Sequence, residues 1–202
     1  ADALIWHYRL DAPVDESLLS PDEHQRAELL LIPQKRQQFI AARVGLRLIL
    51  SQQTGLPPQD LTFAYHPHGK PYLVGYESVE FNLSHSDNLA LVSVARQPVG
   101  IDVERERPLP SLAQMMQIAF SPSEQAALYQ LPHQDQQRAF YRAWTRKEAL
   151  MKGRGQGFKL AHTFTLPVTD PSPTLHLDGW TIHDLLPPAG FVAALALHNS
   201  VS

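Results

Sequence analysis

Ser121-Pro122-Ser123-Glu124 repeats, 101 residues further on, the form of Ser20-Pro21-Asp22-Glu23. Each stretch offers a hydroxyl N-cap, a proline at the first helical position and a glutamate three residues after the cap, the pattern of a helix start closed by a capping box. Downstream the correspondence continues: Phe39 matches Phe140, Ala42 matches Ala143, Arg47 falls opposite Glu148, and the apolar run Leu89 to Ala95 finds a counterpart in Phe191 to Leu197. An internal duplication of roughly 100 residues accounts for this, with coincidence between two common helix starts as the alternative. The expected fold is therefore α+β, a pseudo-dimer of two similar α/β halves, residues 1–105 and 106–202, with the active site in the cleft between them.

Around the repeat the elements follow from periodicity. Leu4 to Leu10 reads as a strand, and Gln34 to Gln53 as a long helix with Phe39, Ala42, Leu46, Ile49 and Leu50 on one face, ended by Gly55 and Pro57-Pro58. Leu61 to Tyr65 is a strand leading into the turn His66 to Pro71. Phe81 to His85, Leu89 to Ala95 and Val99 to Glu104 are three further strands. Pro108 and Pro110 mark the passage to the second helical half.

The chain has 202 residues, a net charge of −3 and no cysteine. It needs no disulfide to hold a core of that size, and it has no thiolate for metal binding or nucleophilic attack. The charge gives no global basic field, so nucleic acid is not an expected partner. No apolar run reaches the roughly 18 residues of a membrane span, and Ala1 to Arg9 lacks a leader pattern. A soluble, cytoplasmic protein without a membrane partner is expected.

Three groups of residues could do chemistry. Asp102 and Glu104 stand at i and i+2 of a strand, hence on one face, with Ile101 and Val103 turned into the core. Glu148 and Lys152 stand at i and i+4 of a helix and meet on one side of it. Three carboxylates without cysteine suit Mg²⁺; the bland alternatives are a solvated strand edge neutralised by Arg105 and Arg107, and a surface ion pair. The third group is basic: Lys35, Arg36, Arg43 and Arg47 on the first long helix, with Lys70 in the Gly-Lys-Pro turn, a set suited to several phosphates or to a solvated face. Ser84 and His85 add a hydroxyl and an imidazole at a strand end. They do not form a Ser-His hydrolase pair, because adjacent strand residues face opposite ways and no Gly-x-Ser-x-Gly elbow is present.

Asn82-Leu83-Ser84-His85-Ser86, Gly100-Ile101-Asp102-Val103-Glu104 and Trp144-Thr145-Arg146-Lys147-Glu148-Ala149-Leu150-Met151-Lys152, in that order, resemble the Sfp-type 4′-phosphopantetheinyl transferases. The resemblance runs from the helix near Lys35 to a glycine run ending at Gly157. It implies transfer of the 4′-phosphopantetheine arm of coenzyme A to a serine of an apo acyl or peptidyl carrier protein, with release of adenosine 3′,5′-bisphosphate. It also implies Mg²⁺ held by Asp102, Glu104 and Glu148, Glu148 or a water beside it as proton acceptor, and Lys152 on the pyrophosphate with a hydrogen bond from Ser84. His85, Lys70, Arg43 and Lys35 or Arg36 are implied as ligands of the nucleotide phosphates. Lys147 matches the motif without an assigned role. Leu109, Leu112, Met115, Met116 and Phe120 are candidates for carrier docking or plain core. A monomer is expected, since one chain supplies both halves. The rival readings are a non-catalytic coenzyme A or carrier-protein binding module, which has no chemical reason to keep three carboxylates and a lysine together, and a metal-dependent phosphate-ester hydrolase, which needs no carrier.

Overall fold

The structure, a computed structural model, describes residues 3–156 and 164–199. The chain is a mixed α+β fold. Its strands are β1 (Leu4–Arg9), β2 (Phe63–Tyr65), β3 (Pro71–Leu73), β4 (Glu80–Ser86), β5 (Leu89–Ala95), β6 (Val99–Arg105), β7 (Thr174–Leu177), β8 (Trp180–Leu185) and β9 (Phe191–His198). Its helices are α1 (Pro21–Glu28), α2 (Pro33–Thr54), α3 (Leu112–Ala119), α4 (Pro122–Tyr129) and α5 (His133–Arg154). Among the described residues no helix is long and apolar enough to cross a membrane.

Both expected helix starts form. The Ser20 N–H donates to the Glu23 carboxylate at 3.1 Å and the Ser121 N–H to Glu124 at 2.8 Å. From there the two halves run nearly in step. α1 and α4 each have 8 residues, and α2 and α5 each have 22 and end on a left-handed glycine, Gly55 and Gly155. The step is not gapless, however: residues 29–32 connect α1 to α2, whereas residues 130–132 connect α4 to α5. The shorter connection moves the long helices into a 100-residue offset, so Arg47 lies opposite Lys147, not opposite Glu148.

Two antiparallel sheets carry the helices, one in the strand order β1-β5-β4, the other β6-β9-β8-β7. The hairpin β2-β3 stands apart. Strand alternation divides the core into layers. Val92 and Val94 turn toward Leu46 and Leu50 of α2, while Leu89 and Leu91 turn toward Ile101, Val103, Leu195 and Leu197 of the second sheet. Ala194 and Ala196 face α5 with Phe140 and Leu150. Met116 and Phe120 are fully buried in that last layer, so they are core, with Leu109, Leu112 and Met115 packed at its margin.

The sequence expectation ends the first half at residue 105, yet β6 forms its whole ladder with β9 of the second sheet. Its other edge meets β4, and side chains take the place of a ladder there. Asn82 Oδ1 accepts the Ile101 N–H at 2.9 Å, Ser84 Oγ the Val103 N–H at 3.4 Å, and Ser86 Oγ the Arg105 N–H at 3.0 Å. Every second residue of β4 thus satisfies an edge N–H that burial would otherwise leave unpaired. This seam, with α5 over it, holds the candidate site.

Candidate active site at the β4–β6 seam

The site depends on how closely α5 lies on β6. A Cβ on Gly100 would fall 2.0 Å from the Ala149 carbonyl oxygen and 2.3 Å from the Gly153 nitrogen, and one on Gly153 would fall 2.6 Å from the Trp180 ring. Only two glycines allow this approach, and it lowers Glu148 and Lys152 onto the strand face that carries Asp102 and Glu104.

There the side chains interlock. Lys152 Nζ donates to Asp102 Oδ1 at 2.6 Å and to Ser84 Oγ at 3.0 Å, while the Ser84 hydroxyl donates to the same Asp102 oxygen at 2.9 Å. Ser86 donates to Glu104 Oε2 at 2.9 Å, and the Trp144 indole N–H approaches Glu104 Oε1 at 3.4 Å. Asp102 is 3% exposed, and its Oδ2 is buried with no donor among the described residues. Burial disfavours charge on Lys152, but Asp102 together with Glu148 and Glu104 outweighs it and raises the ammonium above the usual lysine value. Burial lifts Glu148 to about 7, with the charges of Asp102 and Glu104 adding to the rise against Lys152. Burial also raises Glu104, reinforced by Asp102 and opposed by the Ser86 and Trp144 bonds. Lys152 thus faces three carboxylates, of which Glu104 and Glu148 are raised.

The expected metal trio is not a ready-made cage. Among the described residues, no three acidic or imidazole groups are already gathered at metal-binding distances. In this arrangement Lys152 occupies one Asp102 oxygen, and Ser86 and Trp144 approach Glu104.

The expected phosphate ligands separate sharply. Lys35 is exposed, and its charge reaches His85, whose imidazole is lowered first by burial and then by Lys35 and Lys152. Arg43 is committed elsewhere: its Nε meets Glu23 Oε1 at 2.5 Å, its guanidinium lies over the Phe63 ring, and the residue is 8% exposed. Arg47 joins it on Glu23 Oε2 at 2.6 Å and donates to the Pro58 and Leu61 carbonyls. Arg36 donates to the Ala27 and Glu28 carbonyls, closing the C-terminal end of α1. Lys70 is buried against Glu80 and two backbone carbonyls; burial lowers its ammonium while Glu80 pulls the other way. Gly157, the end of the expected glycine run, lies outside the described residues.

Other residues emerge only in three dimensions. Lys147 is fully buried on Glu124 at 2.5 Å, and the Leu166 N–H donates to the other Glu124 oxygen at 2.8 Å. Arg142 and Arg146 hold Asp184 and the carbonyls of Asp170 and Ser172. Ser86 had a signal in the sequence: Asn82, Ser84 and Ser86 are polar at period two on one strand, hence on one face.

Two family models meet end to end on this chain. Residues 13–97 match the model described as 4′-phosphopantetheinyl transferase, N-terminal, and residues 98–191 the 4′-phosphopantetheinyl transferase superfamily. The chain is 37% identical over 205 residues to the 4′-phosphopantetheinyl transferase HetI of Nostoc sp., an alignment covering 96% of this chain and 86% of that protein. It is 28% identical over 185 residues to the 4′-phosphopantetheinyl transferase Sfp of Bacillus subtilis, covering 87% and 78%. With AcpT of Salmonella typhimurium, also a 4′-phosphopantetheinyl transferase, it shares 36% identity over 142 residues, 69% and 70% of the two chains. The chain belongs to the 4′-phosphopantetheinyl transferase superfamily. The two models join at 97/98, just before β6, in keeping with the ladder of that strand.

Proposed function

We propose that this protein transfers the 4′-phosphopantetheine arm of coenzyme A to a serine hydroxyl of an apo acyl or peptidyl carrier protein, releasing adenosine 3′,5′-bisphosphate. Family membership supports the reaction class. The observation that carries the reading is the seam itself, where Asp102, Glu104 and Glu148 converge with Lys152 under a buried helix. We infer further that the two halves arose by duplication, supported by paired helix lengths and by the matching orders β1-β5-β4 and β6-β9-β8. On that reading the site lies in the cleft between the halves, the division falls before β6, and one chain acts as a monomer.

The donor set fits a magnesium ion. Its oxygens are hard, the buried Asp102 Oδ2 has no donor among the described residues, and neighbouring carboxylate charge adds to the raised proton affinity of Glu148 and Glu104. Asp102, Glu104 and Glu148 would hold the ion, which when bound supplies positive charge against the pyrophosphate. The remaining chemistry falls to the chain. An ammonium has three N–H groups; among the described residues Lys152 uses two of them, on Asp102 and Ser84, and the third would meet a phosphate oxygen. Glu148, with a proton affinity near neutrality, takes the proton of the carrier serine as its oxygen bonds to the pantetheine-bearing phosphorus. The bond from that phosphorus to the bridging oxygen breaks, and the electron pair leaves with the nucleotide. Lys35 and the neighbouring His85 would meet the nucleotide phosphates, a reading supported by the bonds that Arg43 and Arg36 already make to Glu23 and to the end of α1.

The test is the intact mass of an apo carrier protein after incubation with this protein, coenzyme A and Mg²⁺, with an EDTA control. A gain of one phosphopantetheine arm that EDTA abolishes is expected. No gain on carriers of the fatty-acid, polyketide and peptide classes, with coenzyme A still bound, overturns the proposal in favour of a binding module.

A further inference from the structure

The turn between β2 and β3 sends one lysine into the second half of the molecule. Lys70 Nζ contacts Glu80 Oε2 at 3.3 Å, the Val99 carbonyl at 3.2 Å and the Gly153 carbonyl at 3.0 Å, with its side chain 9% exposed. Each partner belongs to an element that carries the site. Glu80 opens β4, which bears Ser84 and Ser86; Val99 opens β6, which bears Asp102 and Glu104; Gly153 lies in the last turn of α5, one residue after Lys152. The Gly153 carbonyl is also one of those that a helix end leaves without an intrahelical donor, at the negative pole of the helix dipole, where an ammonium is favoured.

Lys70 and Lys152 thus differ in what they have left to give. Among the described residues Lys152 has two partners for its three N–H groups, while the three acceptors around Lys70 use all of its donors. A phosphate could recruit Lys70 only by breaking a buried contact, and a buried carbonyl deprived of its donor is costly. The lysine stem also lies against the helix end: a Cβ on Gly155 would stand 3.7 Å from Lys70 Cδ.

We propose that Lys70 is a positioning residue, a tie that fixes the starts of β4 and β6 and the end of α5 in one arrangement and thereby sets Asp102 and Glu104 against Glu148 and Lys152. Its ammonium is spent on these three acceptors and not on a phosphate. This inference rests on the proposed transferase function.

The experiment compares wild type, Lys70→Met and Lys70→Arg. Wild-type transfer is established first, so that its failure would count against the proposed function alone. Three quantities are then measured: kcat for arm transfer, the ratio of affinities for coenzyme A and for dephospho-coenzyme A by calorimetry, and amide hydrogen exchange of residues 99–105 and 148–156. For Lys70→Met the expected results are a fall in kcat of about 10- to 100-fold, the size typical when a residue supporting a metal site is lost, and faster exchange at both segments. The affinity ratio should stay within about twofold of wild type, because no phosphate contact has been removed. Lys70→Arg, which keeps the charge and can still donate to carbonyls, should recover part of kcat. A ratio that collapses toward one makes Lys70 a ligand of the 3′-phosphate and overturns the inference, as does Lys70→Met with unchanged kcat and exchange. Should Lys70→Met fail to fold, the ratio and exchange of Lys70→Arg decide by the same criteria.

Discussion

Glu23 and Glu124 stand at matching places in the two halves, each 1% exposed, three residues after a serine cap, and each reached by a cation of the long helix that follows. Their neutralisation differs. Glu23 is shared by two guanidiniums, Arg43 and Arg47, which also stack on Phe63. Glu124 receives one ammonium, from Lys147, and a backbone N–H from Leu166. On the remaining surface of the helices the halves part further. Under the 100-residue offset, Glu148 and Lys152 correspond to Leu48 and Gln52, and both of these are exposed. A common frame has one long helix presenting these positions to solvent and the other presenting them to a seam, where burial and neighbouring charges raise both Glu148 and Lys152.

The sharpest test of that contrast is Asp102→Ala. It removes the partner of Lys152 and a proposed metal donor while leaving the ion pairs on Glu23 and Glu124 in place, so arm transfer should fall below detection in a protein that still folds. Ordinary turnover at saturating Mg²⁺ would break the assignment of the seam as the chemical side.

Next in size come the two buried glutamates. Removing one partner of a buried ion pair costs about 3–5 kcal/mol, because the other charge stays buried without compensation. Glu23→Gln and Glu124→Gln should both lose stability in urea at neutral pH, and they should diverge on raising the pH. Burial already lowers the Lys147 ammonium below its ordinary value, with Glu124 opposing. Without Glu124 that depression deepens. The penalty is complete below the folded value and fades as pH rises through it toward the unfolded lysine value. Guanidinium does not deprotonate, so Glu23→Gln should show no such recovery. Equal behaviour of the two variants would mean that the ammonium–guanidinium difference has no energetic consequence.

Gly100→Ala should have a smaller effect on stability, about 1–3 kcal/mol as for other overpacked contacts, because its Cβ collides with backbone of α5. Turnover should nevertheless drop out of proportion, since the helix that moves carries Glu148 and Lys152. A variant with full activity would show that the close approach of α5 and β6 is not needed.

The smallest effect concerns acid. Burial by itself would raise the Glu23 carboxyl, but the charges of Arg43 and Arg47 outweigh it and hold it below the usual carboxylate value. A depressed acid stabilises the fold above its unfolded pKa, about 4.3 for glutamate, and that contribution is lost as pH falls through the folded value. The wild-type stability curve should therefore bend downward below that point, and Glu23→Gln should flatten the bend in urea midpoints measured across acidic pH.

Much of this was legible in the chain. The two Ser-Pro-x-Glu starts, the long helices and the strands β4 to β6 follow from capping and periodicity, which act between residues close in sequence. Asp102 with Glu104, and Glu148 with Lys152, follow from the geometry of a strand and a helix. The register of the long helices misled by one residue, because a connection can lose a residue without disturbing either helix that it joins. The Sfp-type resemblance correctly named the family, and it carried Arg43, Arg36 and Lys70 over as a set of phosphate ligands.

Sequence by itself determined which side chains share a face and which helices are capped, because those relations are set within a turn or two of backbone. Tertiary structure alone decided where each cation is spent. Arg43 and Arg36 go to the end of α1 and its glutamate, Lys147 to Glu124, Lys70 to three elements of the seam, and Lys152 to Asp102 and Ser84. The physical reason is reach: a charge some tens of residues away is invisible to local pattern, yet once burial removes water the nearest such charge fixes what a side chain can still do.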